Sequence, residues 1–264
     1  MRRAIFFDID GTLLDCAGQI KTMTPNVKKA IRKLQTSGDY VFIATGRPYA
    51  FLSQEILEFG FDGFILTNGA QVILHNKTIY KETLEKHFVK QLVQTFEKYD
   101  IQYILEGDND SYMKSCYKEF YNFYETFGIF KNKIKEDYDL EEIEVQKIEA
   151  LCPTKEALTF CLSFLNEHPE YDHFESMNAK SVEIYSKKNT KATGILEALK
   201  YLDIPIEQSY AFGDGKNDIE MLEAVGCGIA MGNASDEVKR FADKVTDTVQ
   251  NDGVAVGIEK LILV

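Results

Sequence analysis

The chain has 264 residues, of which 45% are hydrophobic and 27% charged. This composition excludes a disordered chain. The length suggests either two domains or one domain with a large insertion. Its net charge of −12 lies mainly in the middle, because residues 82–183 carry 22 Asp and Glu against 11 Lys and no Arg. We therefore expect no broad basic surface that could bind nucleic acid. No apolar run approaches the roughly 20 residues needed to span a membrane. No signal peptide is evident, so we expect a cytoplasmic protein.

The first 81 residues alternate short apolar strands with amphipathic helices. Such alternation produces right-handed crossovers, so we expect an α/β fold with a Rossmann-like, mostly parallel sheet. Ligands of these sheets bind beyond the carboxyl ends of the strands. The predicted elements are strands over 4–7, 40–44 and 64–66, a helix from Pro25 to Gly38, a helix over 50–58 and a hairpin over 71–81.

The pattern changes after residue 81. Longer helices and strands that suit antiparallel pairing predict an inserted α+β domain over residues 82–186 with a core of its own. Its predicted helices cover 84–99 and 155–167, and its predicted strands cover 101–105, 148–152, 171–175 and 182–185. Within it, helical spacing relates the aromatic residues Phe120, Tyr121, Phe123, Tyr124 and Phe127. Such a stripe suits either the core of the insert or a surface that stacks on a substrate.

The alternation of strands and helices resumes after the insert. The predicted elements there are helices over 192–202, 219–224 and 235–241 and strands over 209–212, 228–231 and 244–245. Residues 1–81 and 187–264 are therefore predicted to build one domain, interrupted by residues 82–186.

Acidic and polar residues follow the predicted strands. Asp8 and Asp10 come directly after the first strand, and residues two apart in a strand share a face, so both carboxylates can reach one site. A bound divalent cation is the simplest relief for two close carboxylates. Thr45 follows the second strand and Asn68 the third, and both are expected at the same edge of the sheet.

Four segments resemble, in order and in position, the four motifs of the haloacid dehalogenase superfamily. They are DIDGT at 8–12, ATGR at 44–47, Lys191, and GDGKND at 213–218. TNGA at 67–70, MGNA at 231–234 and DGV at 252–254 resemble signatures of its Cof-type sugar-phosphatase branch. The resemblance implies the haloacid dehalogenase fold, with the insert after the third strand as a type-2 cap that selects the leaving group.

The resemblance also implies roles for individual residues. Asp8 would attack phosphorus and form an aspartyl phosphate, while Asp10 would act as the acid and base. Mg²⁺ would be held by Asp8, by the backbone carbonyl of Asp10 and by Asp214. Asp218 would orient a metal-bound water or Lys191. The phosphoryl oxygens would be held by Thr45, the Gly46 amide, Lys191 and Asn217.

Several of these residues have a purely structural alternative. Thr45 could instead cap the following helix. Asn68 and Arg47 are predicted to contact substrate, but Asn68 could form only a turn and Arg47 only a surface salt bridge. For Lys191, a cation at a helix start is mildly disfavoured by the helix dipole, which favours a functional role.

The function implied by the resemblance is hydrolysis of small phosphorylated metabolites, above all sugar phosphates, by a Mg²⁺-dependent enzyme that is a monomer or a small homo-oligomer. A phosphosugar mutase is the first alternative, but it must hold a second phosphate, commonly with arginines, and residues 82–186 contain none. A non-catalytic metabolite-binding regulator is the second, although a pure binder needs no nucleophile beside an acid–base residue.

Overall fold

The computed structural model describes residues 2–15, 20–126, 133–175 and 181–263. The chain forms two compact units. The core unit comprises Met1–Gly46, Ser53–Lys81 and Thr190–Val264, and the inserted unit comprises Arg47–Leu52 and Glu82–Asn189. None of the helices in the described ranges combines the length and apolar character needed to cross a membrane.

The secondary structure follows the predicted alternation closely. The strands are β1 (Ala4–Phe7), β2 (Tyr40–Ala44), β3 (Gly63–Leu66), β4 (Gln71–Leu74), β5 (Lys77–Lys81), β6 (Gln102–Glu106), β7 (Ser111–Tyr112), β8 (Ile134–Lys135), β9 (Lys147–Leu151), β10 (Tyr171–Glu175), β11 (Ser181–Ser186), β12 (Ser209–Gly213), β13 (Cys227–Ala230) and β14 (Lys244–Val245). The helices are α1 (Pro25–Thr36), α2 (Gln54–Glu58), α3 (Lys86–Lys98), α4 (Lys118–Thr126), α5 (Lys155–Asn166), α6 (Lys191–Leu202), α7 (Ile219–Ala224), α8 (Asp236–Lys239) and α9 (Gly253–Gly257).

The core unit is built on one sheet of order β14-β13-β12-β1-β2-β3-β4-β5. Pairing is parallel from β14 through β3, and β4 and β5 add an antiparallel edge. The predicted α/β fold with a mostly parallel sheet is confirmed. Strand β1 lies in the middle, and the chain continues to β2 on one side and returns to β12 on the other, so the strand order reverses at β1. In open α/β sheets this switch point is where ligands bind.

Helices cover the core sheet because their apolar stripes match its buried faces. Buried residues of α6 and α7, among them Ile195, Leu199 and Met221, pack against Phe6 of β1 and Phe42 of β2. Alternation along β1 turns its other residues to the opposite face, where Phe7 stacks on Phe212 of β12 with ring centroids 5.3 Å apart.

Helix α1 begins and ends as its sequence predicts. The Thr24 hydroxyl accepts a hydrogen bond from Val27 N at 3.3 Å, Pro25 occupies the first turn, and Gly38 follows the helix with φ +85°. The side chains predicted to form one face, Val27, Ala30, Ile31 and Leu34, are the buried ones.

The predicted helix over 50–58 is wrong in detail. A 3₁₀ turn over Tyr49–Phe51 comes first, and α2 starts afresh at Ser53, whose hydroxyl accepts a hydrogen bond from Ile56 N. The break separates two environments, because Arg47–Leu52 belongs to the inserted unit whereas α2 belongs to the core unit. Helical periodicity across 50–58 could not show that its two halves pack against different cores.

The inserted unit has a sheet of order β10-β11-β9-β6-β7-β8. Its pairings are antiparallel except for β7 with β8, as the α+β interpretation predicts. Helices α3 and α5 cover one face, where Phe88, Leu92 and Phe96 of α3 meet Ile148 of β9 and Val182 of β11.

The aromatic stripe of α4 is core rather than exposed surface. Phe120, Tyr121 and Tyr124 are buried, and they pack with Ile104 of β6 and with Phe51, whose ring centroid lies 5.1 Å from that of Tyr124. Phe123 packs against the same cluster, and Phe127 lies outside the described residues. This second small core lies within the inserted unit and explains why Arg47–Leu52 packs there.

Candidate active site

The candidate site lies where the parallel strands of the core unit end. Asp8 follows β1, Thr45 follows β2, Thr67 follows β3 and Asp214 follows β12. The backbone N–H of Asp8 still continues the sheet, donating to Phe212 O at 3.0 Å. The four predicted strand ends therefore meet at one edge of the sheet, as the resemblance implies.

Lys191 is the first residue of α6, and its side chain is completely buried. Its Nζ donates to Asp8 Oδ1 and to Asp218 Oδ1, each at 2.6 Å. Burial alone would lower the pKa of Lys191, but the neighbouring carboxylates Asp218 and Asp8 outweigh it and raise the pKa. The ammonium therefore stays charged at neutral pH.

Asp218 accepts hydrogen bonds at both of its carboxylate oxygens. While Oδ1 accepts the bond from Lys191, Oδ2 accepts backbone bonds from Asp214 N at 2.9 Å and Gly215 N at 2.8 Å. The side chain is buried, and a Cβ on Gly213 would lie only 2.6 Å from its atoms. The bond to Lys191 fits one of the two roles predicted for Asp218, that of orienting Lys191.

Asp214 is held against the loop after β1. Its Oδ1 accepts a bond from the Thr12 hydroxyl at 3.2 Å, and a Cβ on Gly11 would lie 2.1 Å from its Oδ2. Gly11 has φ +87°, so glycine is required there both by the backbone conformation and by this carboxylate. Burial, with a further contribution from Asp218, raises the pKa of Asp214 to about 6.

Three carboxylates are concentrated at this point. In the part of the chain that the structure describes, Asp8, Asp214 and Asp218 form a group in which one carboxylate oxygen of each residue lies within 4.8 Å of the other two. Burial raises the pKa of Asp8 well above its usual value, Lys191 opposes that shift, and Asp218 adds to it. A hard divalent cation such as Mg²⁺ relieves the repulsion between carboxylates that are ionised close together. The three carboxylates therefore form a donor set that fits Mg²⁺.

Asp10 differs from Asp8 in its surroundings. Its side chain is exposed, whereas the side chain of Asp8 is only 7% exposed. The charge of Asp10 contributes to the raised pKa of Asp8. An exposed carboxylate beside a buried one suits the different roles that the resemblance implies for them.

Thr45, Gly46, Asn68 and Asn217 form the neutral side of the site. Thr45 is buried, and its carbonyl accepts a bond from Asn68 N at 3.1 Å. It does not cap α2, whose cap is Ser53. Asn217 Nδ2 donates to Asn68 Oδ1 at 3.1 Å, and a Cβ on Gly46 would lie 3.1 Å from that same oxygen. Asn68 thus both makes a turn and joins the loops after β2, β3 and β12.

The loop after β3 has an unusual backbone. Thr67, Asn68 and Gly69 all have positive φ, at 52°, 52° and 93°. Such values are uncommon for a β-branched residue such as threonine, and strain of this kind concentrates at functional sites. The loop is held in place by α6, because a Cβ on Gly69 would lie 2.0 Å from Thr190 O, and Gly194 also packs closely against it.

Replacing Gly69 by alanine is expected to destabilise the protein strongly. The left-handed backbone and the clash with Thr190 O together should lower the free energy of unfolding by about 3 kcal/mol. Gly38→Ala is the matched control, because Gly38 has φ +85° but no atom within 4 Å of the added Cβ, so it should cost only about 1 kcal/mol. Urea unfolding of both variants measures the difference, and equal losses would show that the contact with α6 contributes nothing.

Arg47 departs from the other predicted site residues. It belongs to the inserted unit with the segment that ends at Leu52, and its Nη1 donates to Phe51 O at 3.4 Å. The inserted unit therefore contains an arginine after all, contributed from outside residues 82–186.

Thr12 and Asn233 contact the site but were not among the predicted site residues. Asn233 Nδ2 donates to Gly11 O at 2.9 Å and to Asp214 Oδ2 at 3.2 Å, and its Oδ1 accepts from Val249 N. Both residues lie inside segments already singled out, DIDGT and MGNA. The signal was present, but the motif alone did not show which of its side chains reach Asp214.

Comparison with known proteins supports the same class. A family model for haloacid dehalogenase-like hydrolases matches residues 5–258. YkrA of Bacillus subtilis, whose name provisionally calls it a phosphatase, is 34% identical over 264 residues, which cover 98% of this chain and 97% of YkrA. The 5-amino-6-(5-phospho-D-ribitylamino)uracil phosphatase YitU of the same organism is 31% identical, with 95% of this chain and 94% of YitU covered. The solved structure of a subclass IIB sugar phosphatase has a TM-score of 0.82 at 27% identity and covers 99% of this chain and 100% of that one.

The chain belongs to the haloacid dehalogenase-like hydrolases. The match extends through both units, and the resemblance drawn from four short motifs is thereby confirmed for the family, the fold and the class of enzyme.

Proposed function

We propose that this protein is a Mg²⁺-dependent phosphatase that cleaves small phosphorylated metabolites, above all sugar phosphates, through an aspartyl phosphate on Asp8. The observation that carries the proposal is the contact of buried Lys191 with both Asp8 and Asp218, at 2.6 Å each, beside the half-buried Asp214. The relatives named as phosphatases, one of them for a sugar and another for a phosphorylated ribityl compound, support the choice of substrate class.

In the first half of the proposed reaction, a carboxylate oxygen of Asp8 forms a bond to phosphorus while the ester P–O bond breaks. Asp10 donates its proton to the departing oxygen, so the leaving group departs as a neutral alcohol. The ammonium of Lys191 and the Gly46 amide hold the phosphoryl oxygens, with Thr45 and Asn217 as neutral donors.

In the second half, Asp10 is ionised and takes a proton from water as that water attacks phosphorus. The acyl phosphate bond breaks, phosphate leaves and the Asp8 carboxylate is restored. Asp218 keeps Lys191 aimed at Asp8 throughout, because its own two oxygens are fixed by Lys191 and by the loop after β12.

Asp8, Asp214 and the carbonyl of Asp10 would hold Mg²⁺, as the clustered carboxylate oxygens permit. When bound, the ion neutralises charge on the transferred phosphoryl group and lets it approach the anionic nucleophile.

A panel of phosphate esters tests the proposal. Purified protein should release phosphate from sugar phosphates and other small esters with Mg²⁺, and lose that activity in excess chelator. A phosphosugar mutase would instead isomerise a hexose phosphate without net phosphate release, and a metabolite-binding regulator would turn over no ester. Either result would contradict the proposal.

Mg²⁺ should also stabilise the fold, independently of turnover. At a concentration 100 times its dissociation constant, a ligand that binds only the folded state adds about 2.7 kcal/mol to the free energy of unfolding. Thermal unfolding should therefore shift upward by several degrees with Mg²⁺. Asp214→Asn should abolish most of this shift, whereas Asp236→Asn, on the exposed start of α8, should retain it. An undiminished shift in Asp214→Asn would remove Asp214 from the ion site.

A further inference from the structure

The carboxylate of Asp214 is held at both of its oxygens by side chains that the proposed reaction does not use. Thr12 Oγ1 donates to Oδ1 at 3.2 Å, and Asn233 Nδ2 donates to Oδ2 at 3.2 Å. Thr12 lies in the loop after β1 and Asn233 in the loop after β13. We call the side chains of Thr12 and Asn233 the Asp214 clamp.

The amide of Asn233 is fixed in one orientation. Its Nδ2 also donates to Gly11 O at 2.9 Å, and its Oδ1 accepts a bond from Val249 N at 2.9 Å. A flipped amide would set its oxygen against two acceptors, Gly11 O and Asp214 Oδ2, and its NH₂ group against the N–H of Val249. Asn233 therefore presents a donor, and not an acceptor, to Asp214.

The carboxylate of Asp214 is also confined by the backbone around it. Thr12 is 1% exposed, and a Cβ on Gly11 would lie 2.1 Å from Asp214 Oδ2, so the loop after β1 lies directly against this oxygen. The backbone N–H of Asp214 donates to Asp218 Oδ2 at 2.9 Å. Both the position of the carboxylate and its rotation are therefore set by its neighbours.

Joining the loops does not require a contact with Asp214. The bonds of Asn233 to Gly11 O and Val249 N already connect the loop after β13 to the loop after β1 and to the turn before α9. A residue that only ties loops together needs nothing more. The further bond to Asp214 Oδ2, matched by that of Thr12 to Oδ1, indicates that the clamp holds the carboxylate itself.

The freedom of a carboxylate influences which ion it binds. Mg²⁺ requires near-ideal octahedral geometry with its oxygens at about 2.0–2.1 Å. Ca²⁺ accepts roughly six to eight oxygens at about 2.3–2.6 Å in flexible arrangements, often with both oxygens of one carboxylate. A rigidly held carboxylate therefore suits Mg²⁺, whereas a carboxylate that is free to turn suits Ca²⁺.

We infer that Thr12 and Asn233 are positioning residues that shift the ion selectivity of the site towards Mg²⁺ and away from Ca²⁺ by holding Asp214. The inference rests on the proposed function, in which Asp214 is a ligand of Mg²⁺. Neither side chain needs to touch the ion, because both act through the carboxylate. Removing a group that hydrogen-bonds to a metal ligand typically changes metal affinity by about 10- to 100-fold.

Metal titrations of the whole protein test this inference without any substrate. The upward shift of thermal unfolding, measured against the concentration of MgCl₂ or of CaCl₂, gives a dissociation constant for each ion. Thr12→Val, which keeps the shape of the side chain but loses the hydroxyl, and Asn233→Ala should each move the ratio of the two constants by about tenfold towards Ca²⁺. Thr12→Ser, which keeps the hydroxyl, should retain the wild-type ratio. Each variant is compared with itself between two ions, so a loss of stability from the substitution cancels.

Asn26→Ala is the control, since Asn26 is an exposed asparagine of the core unit that also donates to an aspartate, Asp252 Oδ2, at 2.7 Å. Its ratio should equal that of the wild type. An unchanged ratio in Thr12→Val or in Asn233→Ala would overturn the inference for that residue, even if both affinities fell together, and would leave it as a tie between loops. A shift in Thr12→Ser as large as that in Thr12→Val would overturn the role of the hydroxyl.

Two outcomes separate this inference from the proposed function. Wild-type protein whose unfolding does not respond to Mg²⁺ would refute the ion site, and the proposed function and the inference with it. A wild-type response to Mg²⁺ together with Mg²⁺-dependent phosphate release, but with a ratio that the clamp variants do not change, would leave the proposed function intact and overturn the inference alone.

Discussion

Replacing Asp8 by asparagine is expected to abolish phosphatase activity. The amide is nearly the same size but cannot attack phosphorus, so kcat/KM should fall by about 10⁴-fold or more. The fold should persist, because in the metal-free protein burial and the neighbouring carboxylates disfavour ionised Asp8. Asparagine keeps a side-chain oxygen that can accept the bond from Lys191, and it adds no charge beside Asp218. Thermal unfolding in chelator should therefore show no large loss of stability.

Asp10→Asn separates the nucleophile from the acid and base. With acetyl phosphate, whose leaving group needs little protonation, this variant should still transfer the phosphoryl group to Asp8 but release it slowly, since no base activates water. Mass spectrometry of the intact protein should then show one added phosphoryl group in Asp10→Asn and none in Asp8→Asn. Full activity in Asp8→Asn would refute the mechanism.

The position of the site was predictable because it depends on backbone topology. Short buried strands such as β1 end in polar residues, and parallel strands place those ends at one edge. Asp8, Thr45, Asn68 and Asp214 could be assigned to that edge from the sequence alone. A functional role for Lys191 was also predicted, because the helix dipole disfavours a cation at a helix start, but its complete burial between two carboxylates was not.

The finer geometry was not predictable, since it depends on which side chains meet across distant loops. The resemblance implied that Asp218 lies near Lys191 or a metal-bound water, but its simultaneous bonds to Asp214 N and Gly215 N depend on the conformation of the turn. Likewise, Gly69 gave no sign that its missing side chain makes room for the start of α6. A close approach of two backbones is visible in the sequence only as a glycine, and glycines also occur for many other structural reasons.

The inserted unit was predictable as a fold but less so in its extent. The alternation in β9, with Lys147 and Glu149 between apolar residues, indicates a strand with one polar face. Alternation is normally interpreted as one face in water, and it cannot show that α4 buries part of that face. For the same reason the return of Arg47–Leu52 to this unit was missed, since its apolar residues suit either core.

Lys191→Met is expected to damage both stability and activity, because one ammonium compensates two carboxylates. Removing one partner of a buried ion pair typically costs about 3–5 kcal/mol, since the remaining charges stay buried without compensation. In chelator the variant should lose stability of this order. Added Mg²⁺ should restore part of it by binding the carboxylates, whereas kcat/KM should remain lower by about 10³-fold, because the phosphoryl oxygens lose their charged donor.

Two further variants test whether Lys191 acts on the phosphoryl group or only balances charge. Lys200→Met lies on the same helix, with a side chain that is 78% exposed, and should change stability by less than about 0.5 kcal/mol. The double variant Lys191→Met with Asp218→Asn should be more stable than Lys191→Met alone, because it removes one of the two uncompensated carboxylates, yet it should regain no activity. Additive losses from the two substitutions would show that Lys191 and Asp218 stabilise the fold independently. Recovery of activity in the double variant would show that Lys191 serves only to balance charge. A double variant that is more stable but still inactive would indicate that Lys191 binds the phosphoryl group and does more than balance charge.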